Sequence, residues 1–264
     1  MNETSVAKKL KLSLLALLAY LSLAAVYLTF SKEVDAQDWR SVPDQVAGLA
    51  PDPATTPGAV VQVYAARTVR WRGYFGVHTW IAVKPTNAKE FTVHEIIGFR
   101  LRRTGTALVT RNRAADGYWY GARPELLSDI RGEGVDDVIE RIDAAIKQYP
   151  YANTYRAWPG PNSNTFTAFV AREVPELRLD LPPTAIGKDY LGVSPLRGTP
   201  SGTGAQVNVF GAAGVLVGWE EGLELNLLGL TFGLDPKSLS IKLPLVGRVG
   251  PGGTVDPVIV DASL

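Results

Sequence analysis

The nineteen residues from Leu12 to Phe30 contain no charge, and Lys8, Lys9 and Lys11 stand immediately before them. As a helix such a run measures about 28 Å, close to the hydrocarbon thickness of a bilayer. It has no polar stripe to turn toward water, which argues against a buried helix of a soluble protein. Lysines ahead of the run hold its N-terminus in the cytoplasm by the positive-inside rule and send the chain beyond Lys32 across. Residues 1–36 are therefore expected to form a cytoplasmic stub and a retained signal-anchor, single-pass in the inner membrane through residues 12–30, with the C-terminal domain periplasmic. A cleaved signal peptide is the alternative, with Val34-Asp35-Ala36 as its site and Gln37 as the new N-terminus. The apolar core is long for that, and acidic residues crowd the site.

Residues 37–58, rich in Pro, Ala, Asp and Thr, read as a linker. Alternation at Val61, Val63 and Ala65 marks a strand, followed by strands over 74–84 and 91–101 and a hairpin over 107–120 around Ala115-Asp116-Gly117. Leu126, Leu127 and Ile130 suggest a short helix after Pro124, and Val135, Val138, Ile139, Ile142 and Ile146 a longer one. A third helix is expected from Ser163 to Val174, ending before Pro175. Beyond Leu181-Pro182-Pro183 glycine alternates with Leu and Val, which predicts further hairpin strands from Ala205 to about Leu245. The domain reading is a core over 59–191 and a Gly/Leu-rich β extension over 192–264 packing on it. Strands, then helices, then strands fit α+β with a mainly antiparallel sheet.

A net charge of +1 supplies no field for nucleic acid, and the absence of cysteine excludes disulfides, thiolate catalysis and Cys-type metal sites. Gly202-Thr203-Gly204 lacks the spacing and context of a nucleotide fingerprint, so no cofactor is implied.

The chain has two histidines, His78 and His94. Period two puts His78 and Trp80 on one face of their strand, and a three-residue loop at Pro85-Thr86-Asn87 would set His78 directly opposite His94. Ser163 then opens a helix in Gly160-Pro161-Asn162-Ser163-Asn164-Thr165-Phe166. A helix N-terminus stabilises an oxyanion, and an imidazole within reach of the hydroxyl serves as general base. This predicts catalytic Ser163, His78 and His94, with Asn162, Asn164, Tyr155 and Trp80 about an oxyanion hole or substrate cleft. The plain structural alternative makes Asn162 or Ser163 an N-cap and Trp80 and Phe166 core residues. A metal at the two histidines is disfavoured because Glu95 is expected on the opposite face.

His78-Thr79-Trp80, the hairpin to His94 and Asn162-Ser163-Asn164-Thr165-Phe166 together resemble the circularly permuted papain-like proteins of the lecithin:retinol acyltransferase and NlpC-related kind, over roughly residues 60–174. The resemblance implies His78 as base, His94 as its orienting partner and Ser163 at the nucleophile position, where that family carries cysteine. Serine must lose its proton within the transition state, so the replacement bears directly on activity. Residues 64–191, with Trp-Pro-Gly-Pro-Asn-Ser-Asn-Thr-Phe and Leu-Pro-Pro-Thr-Ala-Ile-Gly-Lys-Asp-Tyr, also resemble an uncharacterised proteobacterial family of unknown function. Two functions are expected from these resemblances. One is a hydrolase or acyltransferase at an ester or amide bond, with a lipid, lipoprotein or cell-wall peptide as substrate. The other is an inactive papain-like scaffold that binds lipid or cell wall.

Arginines cluster at 67, 70 and 72, at 100, 102 and 103, and at 111 and 113, suited to lipid phosphates and acidic glycans or to solvated strand edges. Tyr149, Tyr151, Tyr155 and Trp158 suit a groove wall or a core cover. The apolar run from Val207 to Leu234 either rests on the membrane, lines an acyl-chain pocket or supplies core strands that close a barrel.

Overall fold

The computed structural model describes residues 3–30, 45–251 and 255–261. The uncharged run is helical within α1 (Glu3–Phe30). Among the described residues no helix is long and apolar enough to cross a membrane, so the membrane-crossing part of the expectation finds no support in the fold. The Tyr20 hydroxyl donates to the Pro244 carbonyl at 2.6 Å, and Ala24 packs on Leu245. The candidate cleavage site and residues 37–44 of the expected linker lie outside the described residues. From residue 45 the chain is laid on the domain rather than hung from it. Val46 bridges to Gly117, and the Leu49 amide donates to Asp116 Oδ2 at 2.7 Å.

The fold is α+β with sheets rich in antiparallel pairs. β1 (Val60–Arg67), β2 (Val77–Lys84), β3 (Thr92–Ile96), the short helix α2 (Leu101–Thr104), β4 (Leu108–Asn112) and β5 (Glu125–Arg131) come first, and the strands pair in the order β5-β1-β2-β3-β4. β2 is buried along its whole length and β1 up to Arg67, so their sequences do not alternate cleanly. One sheet face carries Val61, Val63, Ile81 and Val83 against α3 (Val135–Lys147) and α4 (Ser163–Glu173). The other carries Tyr64, Trp80 and Val93 beneath Leu49, Ala50 and the 113–124 segment.

Two local expectations are corrected. Leu126, Leu127 and Ile130 lie on β5, not on a helix, because that segment pairs along β1 through a register shift at Val63/Tyr64. The expected hairpin over 107–120 contributes only β4, and the residues after it cross the sheet as its second cover. α3 buries the face its spacing predicts, with Asp136 and Asp137 in its first turn and Lys147 in its last, as the helix dipole favours.

The second sheet is a meander in which each strand pairs with its chain neighbour: β6 (Leu196–Gly198), β7 (Gly204–Val209), β8 (Ala213–Gly218), β9 (Gly222–Leu227), β10 (Leu230–Asp235), β11 (Ser240–Leu243) and β12 (Gly247–Val249). β7 to β11 lie where the glycine-rich alternation predicts, while β6 and β12 extend the sheet beyond that span, and the sheet stays open and closes no barrel. β13 (Val258–Ile259) then returns to lie parallel to β5.

Polarity in the meander is reversed from the usual arrangement. The face turned into the protein carries Gln206, Asn208, Glu224, Asn226, Thr231 and Lys242, all buried. Lys188 pairs with Asp189 at 3.2 Å and also with Glu224. Lys242, 0% exposed, pairs with Glu224 at 2.6 Å and Asp180 at 2.7 Å. Asp189 accepts from the amides of Gln206 and Asn226, each at 2.6 Å. Burial alone would lower the Lys188 pKa, but Asp189 and Glu224 outweigh it and raise it. The buried charges are thus mutually compensated, which is the condition for tolerating them.

Candidate functional site

The placement of the histidines is set by one register. β2 and β3 pair Trp80 with Glu95, Ile81 with His94 and Val83 with Thr92. The connection runs from Lys84 to Phe91 instead of turning tightly at Pro85–Asn87, so the partner of His94 is residue 81 and not residue 78. An odd shift moves a side chain to the other side of a sheet. His78 and His94 therefore occupy opposite faces, and the expected pair is not assembled.

His78 lies with Trp80 and Glu95 under the 113–124 segment. Its Nε2 is 2.9 Å from Glu95 Oε2. Glu95, fully buried, accepts from Arg111 at 3.0 Å through Oε1 and has Arg113 Nε at 3.6 Å. Trp119 stacks on the imidazole with centroids 3.7 Å apart and planes 13° apart. Burial would raise the Glu95 pKa, but the hydrogen bond and charge of His78, then Arg113 and Arg111, outweigh it and hold it at about 2. Burial, the largest cause, lowers the His78 pKa, and with the charges of Arg113 and Arg111 it outweighs the hydrogen bond and charge of Glu95. At neutral pH the pair is a carboxylate accepting from a neutral imidazole, which fixes the tautomer with hydrogen on Nε2. Glu95 is on the face opposite His94, as expected, but on that of His78.

His94 faces the helices. Its Nδ1 is 3.0 Å from Thr110 Oγ1, and its buried Nε2 has no hydrogen bond, with Asp143 Oδ1 of α3 at 3.8 Å. Neither ring hydrogen-bonds to Ser163, which opens α4 as predicted and is buried.

The residues around Ser163 are engaged in holding the chain together. Asn162 is the N-cap: its Oδ1 accepts from the amides of Asn164 at 2.9 Å and Thr165 at 3.1 Å, and Thr165 Oγ1 accepts from the Asn162 amide at 3.1 Å, closing a capping box. Asn162 Nδ2 donates to the carbonyls of Ala157 and Ile186. Asn164 Nδ2 donates to Val77 and Ile186, and its Oδ1 accepts from Thr79 at 3.1 Å. Both side-chain amides are thus engaged in joining β2, α4 and the 184–190 loop. Trp80 is also no cleft residue, being fully buried with Nε1 donating to Ala115 at 2.7 Å. Tyr155 packs against Gly98, where a Cβ would come within 2.7 Å of its ring. Trp158 donates to Leu228 of the second sheet at 2.9 Å.

A cleft of about 1370 Å³ is lined by Arg67, Glu125, Asp129, Arg178, Asp180 and Arg248, among others, and includes none of the expected site residues. Sequence reasoning missed Glu95 as the partner of His78, and missed Arg111, Arg113 and Trp119. The alternation of Arg111 and Arg113 beside a strand bearing Glu95 was the available signal, but using it requires the β3–β4 register.

The fold and site define an α+β domain whose first sheet encloses a His–Glu–Arg cluster and whose helix start is a polar clasp. A family profile matches residues 58–190, half of the chain, and the chain belongs to that family, DUF3750, described as a protein of unknown function. The matched span runs from the start of β1 to the end of the loop the clasp holds. No curated protein and no solved structure matches the chain.

Proposed function

We propose that this chain is a non-catalytic module of the cell envelope on a papain-like scaffold, attached to the membrane through the run from Leu12 to Phe30, with Ser163 serving as part of a structural clasp. The observation that carries this reading is the β2–β3 register, which puts a sheet between His78 and His94 and leaves neither bonded to Ser163. The saturated amides of Asn162 and Asn164 support it, since a preorganised oxyanion site needs donors left free. The uncharged run and its preceding lysines support the attachment.

The competing reading, an acyl hydrolase or acyltransferase at Ser163, keeps one observation: Ser163 opens α4, and His94 faces the side of the sheet on which α4 packs. A serine-directed fluorophosphonate applied to the full chain separates the two. The expected result is no labelling of Ser163, with Ser163→Ala costing no more than about 1 kcal/mol of stability. Labelling of Ser163 that disappears in His94→Ala or His78→Ala would replace the binding-module reading with the hydrolase.

A further inference from the structure

The second sheet presents an outward face without a polar side chain. Residues directly opposed in antiparallel strands share a face. Following the pairs Leu196–Val207, Val207–Val215, Val215–Leu225, Leu225–Phe232 and Leu234–Ile241 across the sheet meets only apolar residues. Val207, Val215, Val217, Leu223, Leu225 and Ile241 on it are all exposed. Six strand spacings of about 4.8 Å and five residues of about 3.4 Å give a surface of about 500 Å² in projection. The largest apolar patch on a typical monomer is about 300–600 Å² of accessible area and is often functional. The buried charges on the inner face make the orientation firm, because turning the sheet over would part Lys242 from Asp180 and Glu224 from Lys188.

We propose that this face lies flat on a lipid bilayer, its side chains in the acyl boundary of one leaflet and its strand backbones at headgroup level. Three features select lipid as the occupant. First, the uncharged run of α1 meets this very face: Tyr20 packs on Phe232 with ring centroids 6.2 Å apart, which brings the exposed leucines of that run to the apolar side of the sheet. Second, the segment beside that contact is exposed, aromatic and basic. Tyr74 packs with Tyr20, Leu21 and Ala24, and the adjoining Arg70, Trp71, Arg72 and Phe75 are exposed, with Arg72 over the Trp71 ring at 5.2 Å. Aromatic rings and arginines side by side are what the headgroup zone favours. Third, Trp219, 74% exposed, projects from the β8–β9 turn at the rim of the sheet. Flat docking also leaves the open edges β6 and β12 in water, where their unpaired backbone groups are satisfied. The inference rests on the membrane attachment proposed above for bringing the face to lipid, and it does not require α1 to cross.

The chain has no cysteine, so single-cysteine variants report one position each. Full-length Val215→Cys, Leu225→Cys and Ile241→Cys, carrying an environment-sensitive fluorophore, are reconstituted with phosphatidylethanolamine–phosphatidylglycerol vesicles containing a nitroxide lipid. Leu18→Cys reports on the helix and Lys147→Cys on the last turn of α3. The expected result is loss of most of the emission at the three sheet positions and at Leu18, strongest with the nitroxide just below the headgroups for the sheet, and none at Lys147. Quenching at Leu18 without quenching on the sheet overturns the proposal and leaves the attachment standing. Quenching at neither removes both. Unquenched sheet positions whose Leu225→Cys chains cross-link to each other at limiting dilution would assign the face to a second copy instead.

Discussion

The Nε2 of His78 and the carboxylate of Glu95 meet at 2.9 Å in a compartment roofed by Trp119, with Arg111 on the other carboxylate oxygen. Both groups are tuned by the fold in the direction that makes acid unfavourable. The folded His78 pKa is below 6.5, so the stability it contributes is complete above 6.5 and falls as pH drops below it. The folded Glu95 pKa is about 2 against an ordinary 4.5, so its contribution is complete above 4.5 and is lost as pH falls toward 2. Denaturant unfolding as a function of pH should therefore show stability declining from about pH 6.5 downward. Glu95→Gln should flatten the part of the decline below pH 4.5.

Trp119 excludes water from one side of the imidazole. Trp119→Ala is expected to readmit water and move the His78 pKa upward toward its ordinary value, because burial is the largest cause of its depression. Imidazole proton shifts in an NMR titration read this directly, and an unchanged midpoint would show that the depression comes from elsewhere.

Lys242 and Glu224 form the centre of the charge network that seats the second sheet. Glu224→Gln should cost about 3–5 kcal/mol, since it leaves Lys188 and Lys242 buried without their shared carboxylate. A loss below about 1 kcal/mol in urea unfolding would mean that water reaches these charges.

The clasp predicts an asymmetry between neighbours. Asn162→Ala removes an N-cap and two further donated bonds and should cost at least about 2 kcal/mol. Gly187→Ala should be comparably damaging, because φ there is +94° and an added Cβ comes within 2.7 Å of Asn162 Cγ. Thermal unfolding of the two variants beside Ser163→Ala tests the order, with the serine variant expected to lose least.

The buried face of α3 was legible from its apolar three-and-four spacing, and the bounds of α4 from Asn162 ahead of it and Pro175 behind it. The strands of the meander were equally plain from alternation. What local pattern could not supply was the turn between Lys84 and Phe91, and with it the face on which each histidine lies. Period two gives relative orientation within a strand, while the relation between neighbouring strands depends on the length and geometry of the turn that joins them. The same limit hid the reversed polarity of the second sheet. Alternation in Leu223-Glu224-Leu225-Asn226-Leu227 states that two faces differ, but not that the leucines are the ones facing outward. That outcome depends on Asp180, Lys188 and Asp189, which lie before the sheet in the chain.

The two sheets place different demands on the order of assembly. The meander pairs only chain neighbours, so its ladder can close strand by strand as the polypeptide emerges. Its inward polar side chains lack their full set of partners, however, until Lys188 and Asp189 are held in place next to the 184–187 stretch that Asn162 and Asn164 bind. The helix cap thereby acts as a checkpoint for the C-terminal third of the molecule. A chain with a damaged cap should accumulate with its first sheet intact and its second sheet formed but undocked, and lysine side chains that are inert in the native protein should become open to acylation.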